Sequence, residues 1–257
     1  KKGEYIFNAS GCASCHSSPD TTEEEKLVLT GGRAFPSPFG TFYAPNISMD
    51  KVNGIGAWSE KDFVNAVRHG VSPEGKHYYP SFPYTAYANM TDQDIADLWV
   101  YFKSIPESSK PSIDHDLPMY LRWRRPLAFW KLLNKREPII ELVSSDATVQ
   151  RGAYLVETLG HCGECHTPRN FIGGLQYEYW LGGAKNPAGR GMIPNITSSK
   201  LNWNTEEIVE YLASGFTPDF DVAGGHMVHV IENTSKLTEE DRIAIAEYLK
   251  AIPGVQK

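Results

Sequence analysis

The stretch "TDQDIADLWVYFKSIP" (Thr91 to Pro106) places apolar side chains at Ile95, Leu98, Trp99 and Phe102, the spacing of one helix face. Thr91 precedes it as an N-cap, with Asp92 and Asp94 in the first turn, where the helix dipole favours negative charge. Pro106 stops it. "TEEDRIAIAEYLKAIP" (Thr238 to Pro253) follows the same plan, with Ile243, Ala246, Leu249 and Ala251 falling roughly on one face. Two further helices are expected after Trp58 and Trp203: one capped by Ser59 and ending at Gly70, the other capped by Thr205 and ending at Gly215. "GEYIFNASG" and "RGAYLVETLG" read as short apolar helices. No stretch shows the alternation of a strand for any length. Gly31 to Gly56 and Pro168 to Gly191 read as long loops, uncommon in a compact domain unless something organises them.

The pattern is doubled. "APNIS" (Ala44 to Ser48) returns as "IPNIT" (Ile193 to Thr197), and "WSEKDFVNAVRHGVSP" (Trp58 to Pro73) as "WNTEEIVEYLASGFTP" (Trp203 to Pro218). The offset drifts from 150 at Cys12 and Cys162 to 145 at the tryptophans and 147 at Thr91 and Thr238, which loop insertions and deletions explain. An all-α duplicated domain is expected, 1–106 and 147–257, joined by a linker over 107–146.

The chain has 257 residues, 41% hydrophobic and 22% charged, with a net charge of −6. That charge argues against nucleic acid, which selects a basic face. No apolar run approaches the roughly 18 residues of a membrane span. A secretory leader is not visible ahead of the first cysteines, so an exported protein would have lost it.

All four cysteines sit in two copies of Cys-x-x-Cys-His: Cys12, Cys15 and His16, then Cys162, Cys165 and His166. A dithiol redox motif would need a βαβ context, and zinc would need a second ligand pair nearby. Covalent haem c satisfies both copies. Two thiols one helical turn apart match the two vinyl groups of a porphyrin, and the next residue offers its imidazole to the iron. Two haems also account for the long loops.

A sixth ligand is then sought among five methionines and six further histidines. Met227 follows His166 by 61 residues, flanked by His226 and His229. Phe82 occupies the matching place in the first copy and cannot ligate; Met90 follows, with His77 as its competitor. Met49, Met119 and Met192 read as loop or core residues. A ligating imidazole commonly donates its other N–H to a carbonyl, and Pro45 and Pro194 are the candidates. Trp58 and Trp203 read either as donors to haem propionates or as core residues; Arg33 and Arg190 are candidate propionate partners. Because Met90 abuts a helix N-cap and Met227 follows Gly224 and Gly225, the second haem is expected to lose its methionine first on warming or at raised pH, with His226 or His229 replacing it.

Together with "PFGTFYAPNIS", "GIGAWSEKDFVNAVRHGV", "YPSFPYTAYANMTDQDI", "LRWRRPLAFWKLLN" and "GGHMVHVIENTSKLTEEDRIAIAEYLKAIP", the motifs resemble the cytochrome c subunits of membrane-bound, flavin- or quinone-dependent alcohol, gluconate and fructose dehydrogenases. The resemblance implies class I cytochrome c domains with crossing terminal helices, and Met90 and Met227 as sixth ligands. It also implies a periplasmic carrier between a dehydrogenase and the respiratory chain, with no catalytic residue of its own. Such subunits carry three haems and a C-terminal anchor; this chain ends at "GVQK", as a two-haem relative or a shortened piece would. Among rivals, a thiosulfate dehydrogenase would need a cysteine as distal ligand. A peroxidase or a gas sensor would need one open iron.

The linker gathers Arg122, Arg124, Arg125, Lys131, Lys135 and Arg136 among Trp123, Phe129 and Trp130, with net charge +1 against −3 and −4 for the domains. It reads as a packed strap or as a docking surface for a partner or for lipid headgroups.

Overall fold

The computed structural model describes residues 1–20, 22, 25–134, 144–187, 189 and 191–256. It divides into two compact units, Lys1–Phe7 with Gly11–Lys135, and Asn8–Ser10 with Arg136–Lys257.

The first unit opens with α1 (Lys2–Ala9) and α2 (Cys12–His16). A hairpin follows, β1 (Ala34–Ser37) and β2 (Gly40–Tyr43), pairing Phe35 with Phe42 and Ser37 with Gly40. The sequence reading missed it. Four-residue strands carrying Pro36 and turning at Pro38 and Phe39 are too short to alternate visibly; the turn is held by the Ser37 hydroxyl, which donates to Gly40 O at 2.8 Å. Next come α3 (Glu60–His69), α4 (Tyr84–Tyr87) and α5 (Asp92–Phe102). Ser59 and Asp62 form a reciprocal cap on α3, which ends at Gly70 with φ 58°. The predicted face of α5 is the buried one: Ile95, Leu98, Trp99 and Phe102. Phe63 of α3 stacks on Trp99 at 4.9 Å, and Phe7 of α1 meets Phe102 edge-on at 5.7 Å. Where α1 crosses α5, a Cβ on Gly3 would lie 2.0 Å from Asp97 O. Only glycine lets the two backbones approach so closely.

The stretch read as a linker belongs, as far as Asn134, to this unit. It carries α6 (Met119–Arg122) and α7 (Pro126–Leu133). Three of its groups face inward. Leu121 O accepts the Tyr79 hydroxyl at 2.7 Å, the Arg124 guanidinium lies over the Tyr79 ring, and Lys131 Nζ donates to His69 O and Gly70 O at 2.6 Å. Met119, Tyr120, Trp123, Phe129, Leu132 and Leu133 are exposed. Lys135 and Arg136 lie outside the described residues.

The second unit opens with α8 (Ala147–Ala153), which continues as a wider π-turn over Tyr154–Leu159. Then follow α9 (Gly163–His166) and a short pair of strands, β3 (Ala184–Lys185) and β4 (Met192–Ile193). Three helices complete the unit: α10 (Thr205–Ser214), α11 (Met227–Thr234) and α12 (Glu239–Ala251). The cap of α10 is Asn204 and not Thr205, because Asn204 pairs reciprocally with Glu207 three residues on. The buried face of α12 runs through Asp241, Ala244, Ile245, Tyr248 and Leu249. Of the predicted face, Ala246 and Leu249 are buried, while Ile243 is only partly covered and Ala251 is exposed. Here α8 crosses α12 as α1 crosses α5: a Cβ on Gly152 would lie 1.9 Å from Ala244 O. Arg151 locks the crossing through two nitrogens, to Asp241 Oδ1 at 2.8 Å and Oδ2 at 2.7 Å. The chain is thus predominantly helical, and among the described residues no helix is long and apolar enough to cross a membrane.

Candidate haem sites

Both pentapeptides lie on short helices, Cys12–His16 on α2 and Cys165 and His166 on α9 with Cys162 as its cap. None of the four cysteines forms a disulfide. Burial pushes the Cys12 thiol up to about 12, with Cys15 adding to the rise. Burial also raises Cys165, with Glu164 contributing. Burial thus favours the thiol form at Cys12 and Cys165.

The imidazoles are held alike. His16 Nδ1 lies 2.9 Å from Pro45 O, and His166 Nδ1 lies 2.8 Å from Pro194 O. A carbonyl only accepts, so Nδ1–H donates and Nε2 carries the lone pair. Desolvation lowers both imidazoles below their ordinary 6.5, against the opposing pull of the proline carbonyls. A neutral ring with a free Nε2 lone pair is what a metal requires.

The next layer is also duplicated. Gly31 N donates to His16 O at 2.6 Å, and Gly183 N to His166 O at 2.7 Å. Both glycines have positive φ, 72° and 83°. A Cβ on Gly31 would lie 2.6 Å from Pro45 O, and one on Gly183 3.1 Å from Pro194 C. Glycine is therefore what lets the histidine carbonyl and the proline loop close on the same turn. Asn46 and Asn195, the middle residues of the repeated Pro-Asn-Ile, lock that loop. Asn46 Oδ1 accepts Ser48 N at 2.8 Å, and its amide donates to Ser108 O and Lys110 O. Asn195 Oδ1 accepts Thr197 N at 2.9 Å, and its amide donates to Val255 O at 2.9 Å. The sequence reading assigned them no role, although their identity in both copies was the available signal.

The methionines differ. Met90 is 3% exposed, between α4 and α5. Met227 is half-buried and begins α11, so it is a helical residue and not the loop residue expected from Gly224 and Gly225. His226 is exposed beside it, and His229 lies two residues on, 3.4 Å from Glu232 Oε2. His77 Nδ1 lies 3.1 Å from Lys131 Nζ. Met119 and Met192 are exposed and Met49 is half-buried. Trp58 and Trp203 are half-buried, ahead of α3 and α10, and Trp203 meets Tyr211 edge-on at 5.1 Å. Arg33 is half-buried at the start of the hairpin, its carbonyl accepting Ala44 N at 3.0 Å. Arg190 lies outside the described residues.

The second unit adds a buried polar chain. Trp180 Nε1 donates to the Tyr248 hydroxyl at 3.0 Å, which donates to Glu157 Oε1 at 2.6 Å. A Cβ on Gly163, within the second pentapeptide, would lie 2.0 Å from the Trp180 ring, so the indole rests directly on the motif.

Paired thiols and a carbonyl-held imidazole with a free nitrogen lone pair, present twice, are groups that suit haem c. Fold and sites are those of a c-type cytochrome. The family model for cytochrome c matches residues 1–106. A dihaem cytochrome c-type protein of Cereibacter sphaeroides is 52% identical over 99% of this chain and 86% of its own length. The fructose dehydrogenase cytochrome subunit of Gluconobacter japonicus is 35% identical over 98% of this chain, and the gluconate 2-dehydrogenase cytochrome c subunit of Pantoea cypripedii 34% over 98%. This chain spans 52% and 59% of those two subunits. The chain belongs to the dihaem c-type cytochromes.

Proposed function

We propose that the protein is a periplasmic electron carrier that accepts electrons from a dehydrogenase and delivers them towards the respiratory chain. In this reading Cys12 and Cys15 bind one haem c covalently, and Cys162 and Cys165 the other. His16 and His166 are proximal ligands; Met90 and Met227 are distal ligands. Each bound haem supplies a one-electron iron couple, and thioether ligation favours the reduced state. The chain's own part is to hold the donors. Pro45 and Pro194 fix the imidazole orientation, Gly31 and Gly183 admit the close turn, and Asn46 and Asn195 keep the proline loops shut. Trp58 and Trp203, ahead of α3 and α10, and Arg33, at the start of the first hairpin, serve as propionate partners. The observation that carries the reading is the twofold occurrence of one arrangement, a helix-borne Cys-x-x-Cys-His whose imidazole meets a proline carbonyl. The dehydrogenase donor follows from the relatives of that kind.

Acid–organic extraction of the exported protein should leave haem on the chain, with a mass increment of two haems. Carbon monoxide should not bind the reduced protein readily, because both sixth positions are filled. A single haem, or an extractable one, overturns the dihaem reading; ready carbon monoxide binding favours a peroxidase or gas sensor with an open iron.

A further inference from the structure

Arg68 lies in the last turn of α3, with its side chain 23% exposed. Its two terminal nitrogens reach different parts of one short segment. Nη2 donates to Met90 O at 2.7 Å, and Nη1 to Asp92 Oδ1 at 2.7 Å. Thr91, between them, caps α5 by accepting Asp94 N. Met90 N donates backward to Tyr87 O at 3.0 Å. The backbone that carries the Met90 sulfur is therefore held from α4, from α5 and, through the guanidinium, from α3. A planar fork with fixed nitrogen spacing holds two acceptors in one geometry, which an ammonium does not.

Among the described residues, the second unit shows no such arm. Ala213 stands two residues before Gly215, as Arg68 stands two before Gly70. Its methyl donates nothing. Instead Ala213 lines an open cavity of about 320 Å³ together with Val222, Val228 and Ile231.

We infer that Arg68 is a positioning residue for the sulfur of Met90: by fixing the Met90 carbonyl and Asp92 it opposes displacement of that thioether, and the second site lacks the device. This rests on the reading of Met90 as a sixth ligand. It makes Met90 the slower of the two methionines to be displaced by an outside ligand.

The test uses the haem-loaded protein and imidazole as competing ligand, following loss of the methionine–iron charge-transfer absorption in the ferric state. The wild type should show two phases. Met90→Ala should remove the slow phase and Met227→Ala the fast one. Arg68→Ala should speed the slow phase about tenfold or more, the worth of a part-buried charge-assisted hydrogen bond, and leave the fast phase alone. Arg68→Lys should recover part of that loss. Asp92→Ala alters an exposed group, leaves the fold intact, and should speed the slow phase about threefold, as for an exposed ion pair. If Met90→Ala leaves the ferric spectrum unchanged, the ligand reading falls and the inference with it. If Met90→Ala abolishes one phase while neither Arg68→Ala nor Asp92→Ala changes its rate, the inference alone falls.

Discussion

In the first unit, Gly3 lets α1 seat on Asp97 O and the Cβ of Tyr101; in the second, Gly152 lets α8 seat on Ala244 O and the Cβ of Tyr248. Beyond the glycines the two crossings part company. Tyr101 meets the ring of Phe7 edge-on at 5.1 Å, an apolar contact. Tyr248 is fully buried and gives its hydroxyl proton to the buried carboxylate of Glu157 while accepting from Trp180. One copy closes its crossing with aromatic packing, and the other closes it with a hydrogen-bonded chain that ends against the second Cys-x-x-Cys-His. Backbone proximity is the shared requirement; what fills the space behind it is open to change.

That comparison breaks most sharply at the glycines. Gly3→Ala and Gly152→Ala each force a methyl group to within about 2 Å of a backbone oxygen, and each should destabilise its own unit by about 1–3 kcal/mol or more. Denaturation followed by far-ultraviolet circular dichroism measures this, and the two variants should lose similar amounts. Unequal losses would show that the crossings differ at the backbone as well.

Glu157→Ala should come next. It leaves the Tyr248 hydroxyl buried without its acceptor, at a cost of about 1–3 kcal/mol, while Tyr101→Phe in the other unit should cost less. Glu157→Gln keeps an acceptor and should recover most of the loss. The same denaturation assay checks both variants, and an equal loss for Gln and Ala would mean the carboxylate's charge, and not its acceptor oxygen, matters.

The smallest effect concerns the helix caps. Hydrogen bonds from the Ser59 hydroxyl and backbone N–H hold the Asp62 carboxyl below its ordinary 3.8. A lowered carboxyl contributes stability that is present above the unfolded value and lost as pH falls through the folded one. The stability difference between wild type and Asp62→Ala should therefore be steady above about pH 5 and shrink as the solution is acidified below the usual carboxylate range. A difference that stays constant to low pH would remove Asp62 from the cap.

The helices were legible because their signals are local. Ser59, Thr91 and Thr238 announce their caps within three residues, and Gly70 and Gly215 end their helices in the left-handed conformation. Thr205 misled because Asn204 beside it is an equally good cap, and only the reach of Glu207 decides between them. The hairpins escaped because their strands are two to four residues long. Within the sites, the repeated Pro-Asn-Ile pointed at Pro45 and Pro194, since only the histidine's second nitrogen had to find them. Arg68 was not legible. It stands 22 residues from Met90, and nothing in α3's own periodicity distinguishes a guanidinium that reaches another helix from one that faces water.

The π-turn over Tyr154–Leu159 has a meaning for how the two copies stay in phase. Gly3 precedes Cys12 by nine residues, and Gly152 precedes Cys162 by ten. In a regular α-helix one added residue would rotate everything after it by about 100° and advance it by about 1.5 Å, shifting the cysteines while the glycine stayed in its crossing. A widened turn absorbs the extra residue on the spot. The surplus residue falls in the bulge, the stretch that also carries Glu157. The helix works here as a vernier, letting one copy of a duplicated domain acquire a buried carboxylate without moving either of the two points that its geometry must keep fixed.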